Sequence, residues 1–175
     1  MFFDIQTLER HKIPFDEAFP PGSIDFLDES VHQTGEICAE GVAELIDPFG
    51  VREIRVRGSV RGELEVLCAR CLESVRLSVS SPLDLFYHPM SEIAANEEVA
   101  ISRAETEIGF YEGGGIELAD VIREQIAMEL PMRCLCREDC QGICPICGTN
   151  RNRGACSCRE DISDPRWAAL RNWKQ

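Results

Sequence analysis

The sequence predicts an α+β chain with an antiparallel β-sheet or partial barrel, one core helix and a cysteine-rich C-terminal tail. Between residues 36 and 88, apolar and polar residues alternate, and this two-residue period is typical of strands with one buried face. Between residues 116 and 130 the apolar residues follow helical spacing. Six of the ten cysteines lie between residues 136 and 158.

Length and composition indicate one globular domain with an appendage. A chain of 175 residues with 44% hydrophobic content can bury a real core. We expect a body over residues 1–131 and a tail over residues 132–175. No apolar run approaches the roughly 18 residues that span a bilayer, and the N-terminus MFFDIQTLER is not typical of a secretory signal. We therefore expect a cytoplasmic protein, in which ten cysteines favour metal ligation over disulfides.

The negative charge is concentrated in the predicted body. Residues 1–131 carry ten basic and 26 acidic side chains, a net charge of −16. Residues 132–175 carry eight basic and five acidic side chains, a net charge of +3. This distribution excludes a basic face for nucleic acid along the whole chain. The acidic body suits a basic protein partner and the tail is the part suited to RNA, or the acidity only keeps the protein soluble.

The predicted strands begin after an irregular or edge-strand opening, because residues 1–35 contain turn signals such as Pro20-Pro21-Gly22. Alternating runs follow over residues 37–45, 54–68 and 75–87. Gly58 and Gly62 interrupt the inner face of the middle run, which predicts a bulge or bend there. The other residues of that inner face are Ile54, Val56, Val60, Leu64, Val66 and Cys68.

A loop and two helices complete the prediction. Residues 89–115 are acidic and end in three glycines, which predicts a mobile loop or linker. A helix follows over residues 116–130 and stops at Pro131. Asp164 and Pro165 predict the start of a short C-terminal helix. The core stripe of the first helix consists of Leu118, Val121, Ile122, Ile126 and Leu130.

The tail cysteines have the pattern C-x3-C-x3-C-P-x-C-G-x7-C-x-C. Its centre, residues 144–148, has the form of a zinc knuckle, in which a tight turn places two thiolates on one metal and a glycine permits positive φ. No histidine lies within the pattern, so a site of four thiolates on Zn²⁺ is saturated and structural. The tail is therefore predicted to be zinc-ribbon-like. The candidate ligands are Cys136, Cys140, Cys144, Cys147, Cys156 and Cys158.

Several ligand sets are compatible with this pattern. Cys144 and Cys147 are the most secure pair, and four ligands per ion predict about one zinc per chain. Cys156 and Cys158 would complete the site by closing a small ribbon. Cys136 and Cys140 could replace them, or all six thiolates could hold two bridged metals.

A separate C-x2-C, residues 68–71, lies at a predicted turn between strands. It has no obvious second pair, so we prefer a hairpin packed by Cys68 and Cys71 to a metal half-site. A redox dithiol is the third alternative, although such dithiols usually open a helix that follows a strand. Cys134 lies off the tail pattern and is not a candidate ligand.

The loop between the knuckle and the last cysteine pair carries Arg151 and Arg153. These arginines are a possible RNA contact through phosphate, although a solvated polar turn is the preferred interpretation. The spacing singles out no nucleophile–base pair, Gly-rich phosphate loop or carboxylate dyad. We therefore expect neither an enzyme nor a small-molecule substrate.

Three segments, in chain order, are similar to motifs of one known protein family. They are VLCARCLE at residues 66–73, IAMELP at residues 126–131, and the tail from residue 136 to residue 170. Together they resemble the YceD family, which is named for large-subunit ribosomal RNA accumulation. The resemblance implies a non-catalytic factor in ribosome assembly, in bacteria or organelles, with a ribosomal protein or the large-subunit rRNA precursor as partner and no membrane.

Two other functions are compatible with the cysteines. The first is a zinc or thiol sensor, in which oxidation ejects the metal and changes the shape of the tail to regulate a partner. The second is a thiol oxidoreductase that uses Cys68 and Cys71.

Overall fold

The structure, a computed structural model, describes residues 1–47, 52–90 and 108–158. Within these ranges the chain is mostly β-sheet and has few helical residues, so the predicted α+β class is confirmed only in part. The elements in chain order are β1 (Phe2–Asp4), α1 (Ile5–Leu8), β2 (Ile13–Phe19), β3 (Val31–Ile46), β4 (Glu53–Leu67), β5 (Ser74–Pro89), β6 (Ile108–Tyr111), β7 (Gly115–Glu117) and α2 (Leu118–Glu129).

The main sheet has five strands in the order β2-β3-β4-β5-β6, and β1 pairs with β7 in a separate antiparallel ribbon. Four of the five strands are antiparallel as predicted, but β6 runs parallel to β5. The sheet is therefore mixed.

The core lies between the inner face of this sheet and α2. The predicted inner face of β4 is confirmed, because all six of its apolar residues are buried. Helix α2 is confirmed as Leu118–Glu129, and four residues of its predicted stripe are buried, while Leu130 is partly buried against the same core. Period-two and helical spacing thus identified both layers correctly.

The predicted loop over residues 89–115 is wrong at its C-terminal end, where β6 and β7 form. Tyr111 and Ile116 are buried in the core and anchor these short strands. Gly115 lies in β7 opposite Asp4, and a Cβ at Gly115 would come within 1.9 Å of the carbonyl oxygen of Phe3. This glycine therefore permits close strand packing and is not part of a linker. The edge strand that the sequence allowed for in the opening is confirmed as β2, which pairs with β3 at the edge of the main sheet.

The bulge predicted at Gly58 and Gly62 lies on the neighbouring strand instead. The register between β3 and β4 shifts between Gln33 and Ile37, and Ile37 pairs with Gly62. Gly58 keeps regular pairing opposite Gly41, and a Cβ there would lie 2.7 Å from the Gly41 Cα. The absence of side chains thus lets the two strands approach closely.

The short helix predicted at Asp164 lies outside the described residues. The boundary between body and tail and the cytoplasmic location stay predictions. In the ranges that the structure describes, no helix has the length and apolar character needed to cross a membrane.

Candidate metal centres

Eight of the ten cysteines gather in two groups of four, and within each group the sulfur atoms lie within 4.8 Å of one another. Either group could hold a metal ion, and no cysteine belongs to both. The first centre consists of Cys68, Cys71, Cys136 and Cys140, and the second centre consists of Cys144, Cys147, Cys156 and Cys158.

The sulfur separations in the first centre fit a tetrahedral metal. The Sγ atoms of Cys68 and Cys140 are 3.8 Å apart, and those of Cys71 and Cys136 are 3.6 Å apart. A disulfide would need about 2.05 Å, and all of these cysteines are free. Four sulfurs at about 2.3 Å from a tetrahedral zinc are about 3.8 Å from one another. The geometry therefore suits four thiolates on one ion.

The first knuckle, residues 68–73, is the hairpin between β4 and β5. The N–H of Cys68 donates to the carbonyl of Glu73 at 2.9 Å, and the N–H of Leu72 donates to the carbonyl of Cys68 at 2.9 Å. Leu72 adopts a φ of 61°, in the left-handed region that favours glycine. A leucine therefore occupies the position where a glycine is expected in a zinc knuckle.

The second knuckle, residues 144–149, repeats this backbone. The N–H of Cys144 donates to the carbonyl of Thr149, and the N–H of Gly148 donates to the carbonyl of Cys144, each at 2.9 Å. Gly148 adopts a φ of 71°. The two C-x2-C segments are therefore the same structural motif, although only one of them has the glycine that marks it in the sequence.

The first centre joins the sheet to the tail. Cys68, Cys71 and Cys140 are buried, whereas Cys136 is exposed. The N–H of Ala69 donates to the carbonyl of Cys134 at 2.8 Å, and Arg70 donates through Nη1 to the carbonyl of Cys140 at 2.7 Å. The hairpin and the tail are thus held together by backbone contacts as well as by the shared sulfur cluster.

The second centre is local and more exposed. Its four sulfurs come from residues 144–158, and only Cys144 is buried. Among the described tail residues the strand pairing is limited to one isolated bridge, between Ile143 and Asn150. A zinc-ribbon fold of paired strands is therefore not confirmed. The loop is too short and polar to supply its own apolar core, so an ion would have to organise it.

Backbone N–H groups favour one thiolate in each knuckle. Burial disfavours the thiolate of Cys68, but the N–H groups of Cys71, Arg70 and Cys136 outweigh it and lower the pKa of Cys68 to about 6. In the second knuckle, the N–H groups of Cys147 and Ile146 lower the pKa of Cys144 to about 6. Both groups are therefore largely ionised near pH 7, as metal ligation requires.

Desolvation, hydrogen bonds between sulfurs and, to a smaller extent, thiolate repulsion raise the pKa of one other cysteine in each centre. Although the residue as a whole is exposed, partial desolvation of its sulfur and the hydrogen bond with Cys71 raise the pKa of Cys136 to about 12. In the second centre, the hydrogen bond with Cys147 and burial raise the pKa of Cys158 to about 12. A divalent cation would remove this repulsion and release the protons.

The six predicted tail ligands do not form one site. The structure brings Cys156 and Cys158 to the second knuckle, whereas Cys136 and Cys140 lie beside the hairpin. Our expectation that the hairpin lacks a second pair is therefore wrong, and a single bridged cluster of the six tail sulfurs is not what the chain forms. The number and pairing of the cysteines could have indicated two sites, because eight cysteines in four close pairs supply the ligands of two four-ligand sites.

The loop of the second centre turns back onto the chain. The N–H of Arg151 donates to the carbonyl of Gly142 at 2.9 Å, and the guanidinium of Arg153 forms an ion pair with Glu73 of the first knuckle. Contact of these arginines with RNA stays a prediction, and in the case of Arg153 the charge is already paired within the chain.

Comparison with known proteins finds one family model that matches most of the chain. The family model YceD, described as Large ribosomal RNA subunit accumulation protein YceD, matches residues 56–174. This range contains all eight cysteines of the two centres.

Individual relatives extend the similarity to most of the chain. An uncharacterized protein of Mycobacterium tuberculosis H37Rv is 33% identical over 162 residues, which cover 86% of this chain and 74% of that protein. One from Mycobacterium leprae is 33% identical over 178 residues, which cover 96% and 75%. Large ribosomal RNA subunit accumulation protein YCED homolog 1, chloroplastic, from Arabidopsis thaliana is 24% identical over 153 residues, which cover 71% and 45%. No solved structure matches the chain.

Proposed function

This chain belongs to the YceD family, and from that premise we propose that it is a non-catalytic factor needed for large-subunit rRNA to accumulate during ribosome assembly. The match over residues 56–174 carries the proposal, because the family name supports a ribosome-related role. In the described residues, this segment also brings eight cysteine sulfurs together in two groups of four, an arrangement that suits thiolate ligation of a metal. Such saturated sites stabilise structure and have no open position for a substrate.

We propose Zn²⁺ as the ion in both centres. Four cysteine sulfurs at tetrahedral separations are a common structural zinc site, and the two groups contain none of the carboxylate ligands that Mg²⁺ and Ca²⁺ prefer. The first centre would fasten residues 136–140 to the hairpin at the end of the sheet. The second would shape the loop that follows. Zinc therefore has a structural role in this proposal.

A cleft beside α2 supports a basic protein as the direct partner. It has a volume of about 300 Å³ and lies between α2 and the strands β6 and β7. Glu124 in this cleft accepts a hydrogen bond from the hydroxyl of Tyr87 at 3.2 Å, and burial raises the pKa of Tyr87. Four aromatic and four acidic side chains line the cleft: Phe2, Tyr87, Phe110, Tyr111, Glu112, Glu117, Asp120 and Glu124.

This lining is complementary to lysine and arginine side chains. Aromatic faces attract cations, and carboxylates pair with them. Arg123 is the one basic residue in the lining, and it is already paired with Asp120 at 2.9 Å. Ribosomal proteins are rich in such cations, and an acidic body with a net charge of −16 over residues 1–131 would attract them. We therefore favour a basic segment of a ribosomal protein over direct rRNA contact.

The proposal is tested by depletion and by charge reversal in the cleft. Depletion should lower the level of large-subunit rRNA relative to small-subunit rRNA, and unchanged levels would contradict the proposal. Glu112→Lys combined with Glu117→Lys should reduce capture of a basic ribosomal protein at moderate salt. Asp16→Lys combined with Glu17→Lys, on exposed β2, makes the same change in net charge and should leave capture intact. Capture of a naked rRNA precursor instead would refute the protein-contact assignment.

A redox-responsive regulator is the second candidate, and the ionised thiols of Cys68 and Cys144 favour it. Two thiolates would give two electrons to one peroxide molecule, which takes up two protons and becomes two water molecules. The two sulfurs then form one disulfide, and the ion is released. The sulfurs of Cys71 and Cys136, 3.6 Å apart, are suitably placed for this. If zinc and partner binding both survive mild peroxide, this candidate is excluded.

A further inference from the structure

One side chain of the second centre's loop contacts a sulfur of the first centre. Asn152 lies between the second knuckle and the last cysteine pair, yet its Nδ2 donates to the Sγ of Cys140 at 3.3 Å. Its Oδ1 accepts from the N–H of Gln141 and from Nη2 of Arg137, both at 2.8 Å. The amide is therefore oriented by two donors so that its own N–H group points at the Cys140 sulfur.

A donor in this position strengthens a metal–thiolate site. An N–H group directed at a sulfur stabilises the thiolate relative to the thiol. Because Cys140 is buried, water solvates its thiolate little, and this hydrogen bond is correspondingly more important. Outer partners of this kind typically change metal affinity by 10–100-fold, roughly, when they are removed. Asn152 is thus a positioning residue for the first centre.

The orientation of Asn152 depends on the shape of the loop around it. Its own N–H donates to Oδ1 of Asn150 at 2.9 Å. The two residues beside Asn152 also hold the loop close to the first centre. The N–H of Arg151 donates to the carbonyl of Gly142, and Arg153 forms an ion pair with Glu73 of the first knuckle. The ends of this loop are Cys147 and Cys156, both members of the second centre. An ion there closes the loop and fixes the geometry from which Asn152 reaches Cys140.

We propose that the two centres are thermodynamically linked through Asn152, so that filling the second centre raises the metal affinity of the first. Linkage is reciprocal, so filling the first centre raises the affinity of the second by the same factor. The expected factor is on the order of 10, the lower end for an outer-shell partner. The chain then binds its two ions cooperatively. Docking of the tail on the sheet and ordering of the second centre's loop occur over the same range of free zinc concentration. The inference relies on metal binding at both centres but not on the proposed role in ribosome assembly.

A double-mutant cycle on the full chain tests this linkage. The four proteins are the parent, Asn152→Ala, Cys156→Ser with Cys158→Ser, and the triple variant. Each is equilibrated with Zn²⁺ at buffered free concentrations. Alkylation of individual cysteines followed by peptide mass spectrometry then reports the occupancy of each centre separately. Circular dichroism confirms that the sheet, which contains none of the substituted residues, is folded in every variant.

We expect loss of the second centre to weaken the first about tenfold in the parent background. In the Asn152→Ala background the same loss should have no further effect. If Asn152→Ala weakens the first centre equally whether or not the second is intact, Asn152 acts locally and the linkage is refuted. Equal first-centre affinity in the parent and in the Cys156→Ser, Cys158→Ser protein also refutes it. Failure of Zn²⁺ to protect any cysteine would overturn the inference at its premise.

Discussion

The two centres share one knuckle backbone but differ in where their other ligands come from. The second centre takes all four sulfurs from residues 144–158, whereas the first joins a hairpin at residues 68–71 to residues 136 and 140. The first is mostly buried and connects the sheet to the tail, and the second is mostly exposed and shapes one loop. The same knuckle motif can therefore fix tertiary structure or local structure, depending only on where its second ligand pair lies in the chain.

Removing a buried ligand of the first centre should have the largest effect. Cys68→Ser is expected to remove one bound metal and to separate the tail from the hairpin, because Cys68 is completely buried among the other sulfurs. The affinity loss should exceed the 10–100-fold, roughly, of an outer-shell change. Hydrogen exchange should rise at residues 69–72 and 134–143. Cys38→Ser, a substitution outside both centres, should change neither metal content nor exchange.

Removing an exposed ligand of the second centre should have a smaller effect. Cys147→Ser removes an exposed ligand, so one metal should be lost while the first centre keeps its own. Hydrogen exchange should rise at residues 144–158, and the contact of Ala69 with Cys134 should stay protected. Equal loss of protection at the hairpin in both variants would show that the centres do not divide tertiary and local roles.

Metal affinity should rise with pH in both centres. The pKa values of Cys71 and Cys136 in the first centre and of Cys158 in the second are raised, so these thiols are protonated in the metal-free chain near pH 7. Binding must release these protons, and each contributes about tenfold in affinity per pH unit. Competition with a chelator between pH 6 and pH 8 measures both slopes. An affinity that does not change with pH at either centre would contradict the release of protons on binding.

Substituting the residue with positive φ in each knuckle should have the smallest effect. Leu72 has positive φ and an exposed side chain, so Leu72→Gly should stabilise the hairpin by roughly 1 kcal/mol by relieving backbone strain. Gly148→Leu should destabilise the second knuckle by a similar amount. Denaturant unfolding of the zinc-loaded protein measures both changes. Gly154→Ala is the control, because nothing lies near a Cβ at that position. Destabilisation by Leu72→Gly would show that Leu72 has a packing role.

The second centre was more predictable than the first for a physical reason. Its knuckle carries Gly148 and its partners follow within the same short segment, so local spacing identifies it. The first knuckle has Leu72 in the glycine position, and its partners are 65 or more residues away, as in the contact between Cys71 and Cys136. Spacing cannot report such a distant contact, since tertiary folding of the sheet creates it.

The sheet shows the same division between local and long-range information. Alternation identified the buried face of β4 and helical spacing identified α2, because each pattern reflects burial of one element against the core. The partners of β6 and the role of Gly115 depend on which chain segments lie beside them. A glycine needed for close packing and a glycine in a loop look the same in the sequence, which explains why the predicted loop over residues 89–115 extended too far.

The most direct test of two separate four-thiolate centres is the metal content of the purified chain. The sequence pattern alone predicted about one zinc, whereas the two sulfur groups predict two. Metal analysis of protein purified without added zinc, combined with cysteine alkylation, should give two zinc ions per chain, with Cys38 and Cys134 alkylated and the other eight cysteines protected. One zinc per chain, or protection of the six tail cysteines with Cys68 and Cys71 reactive, would contradict the account.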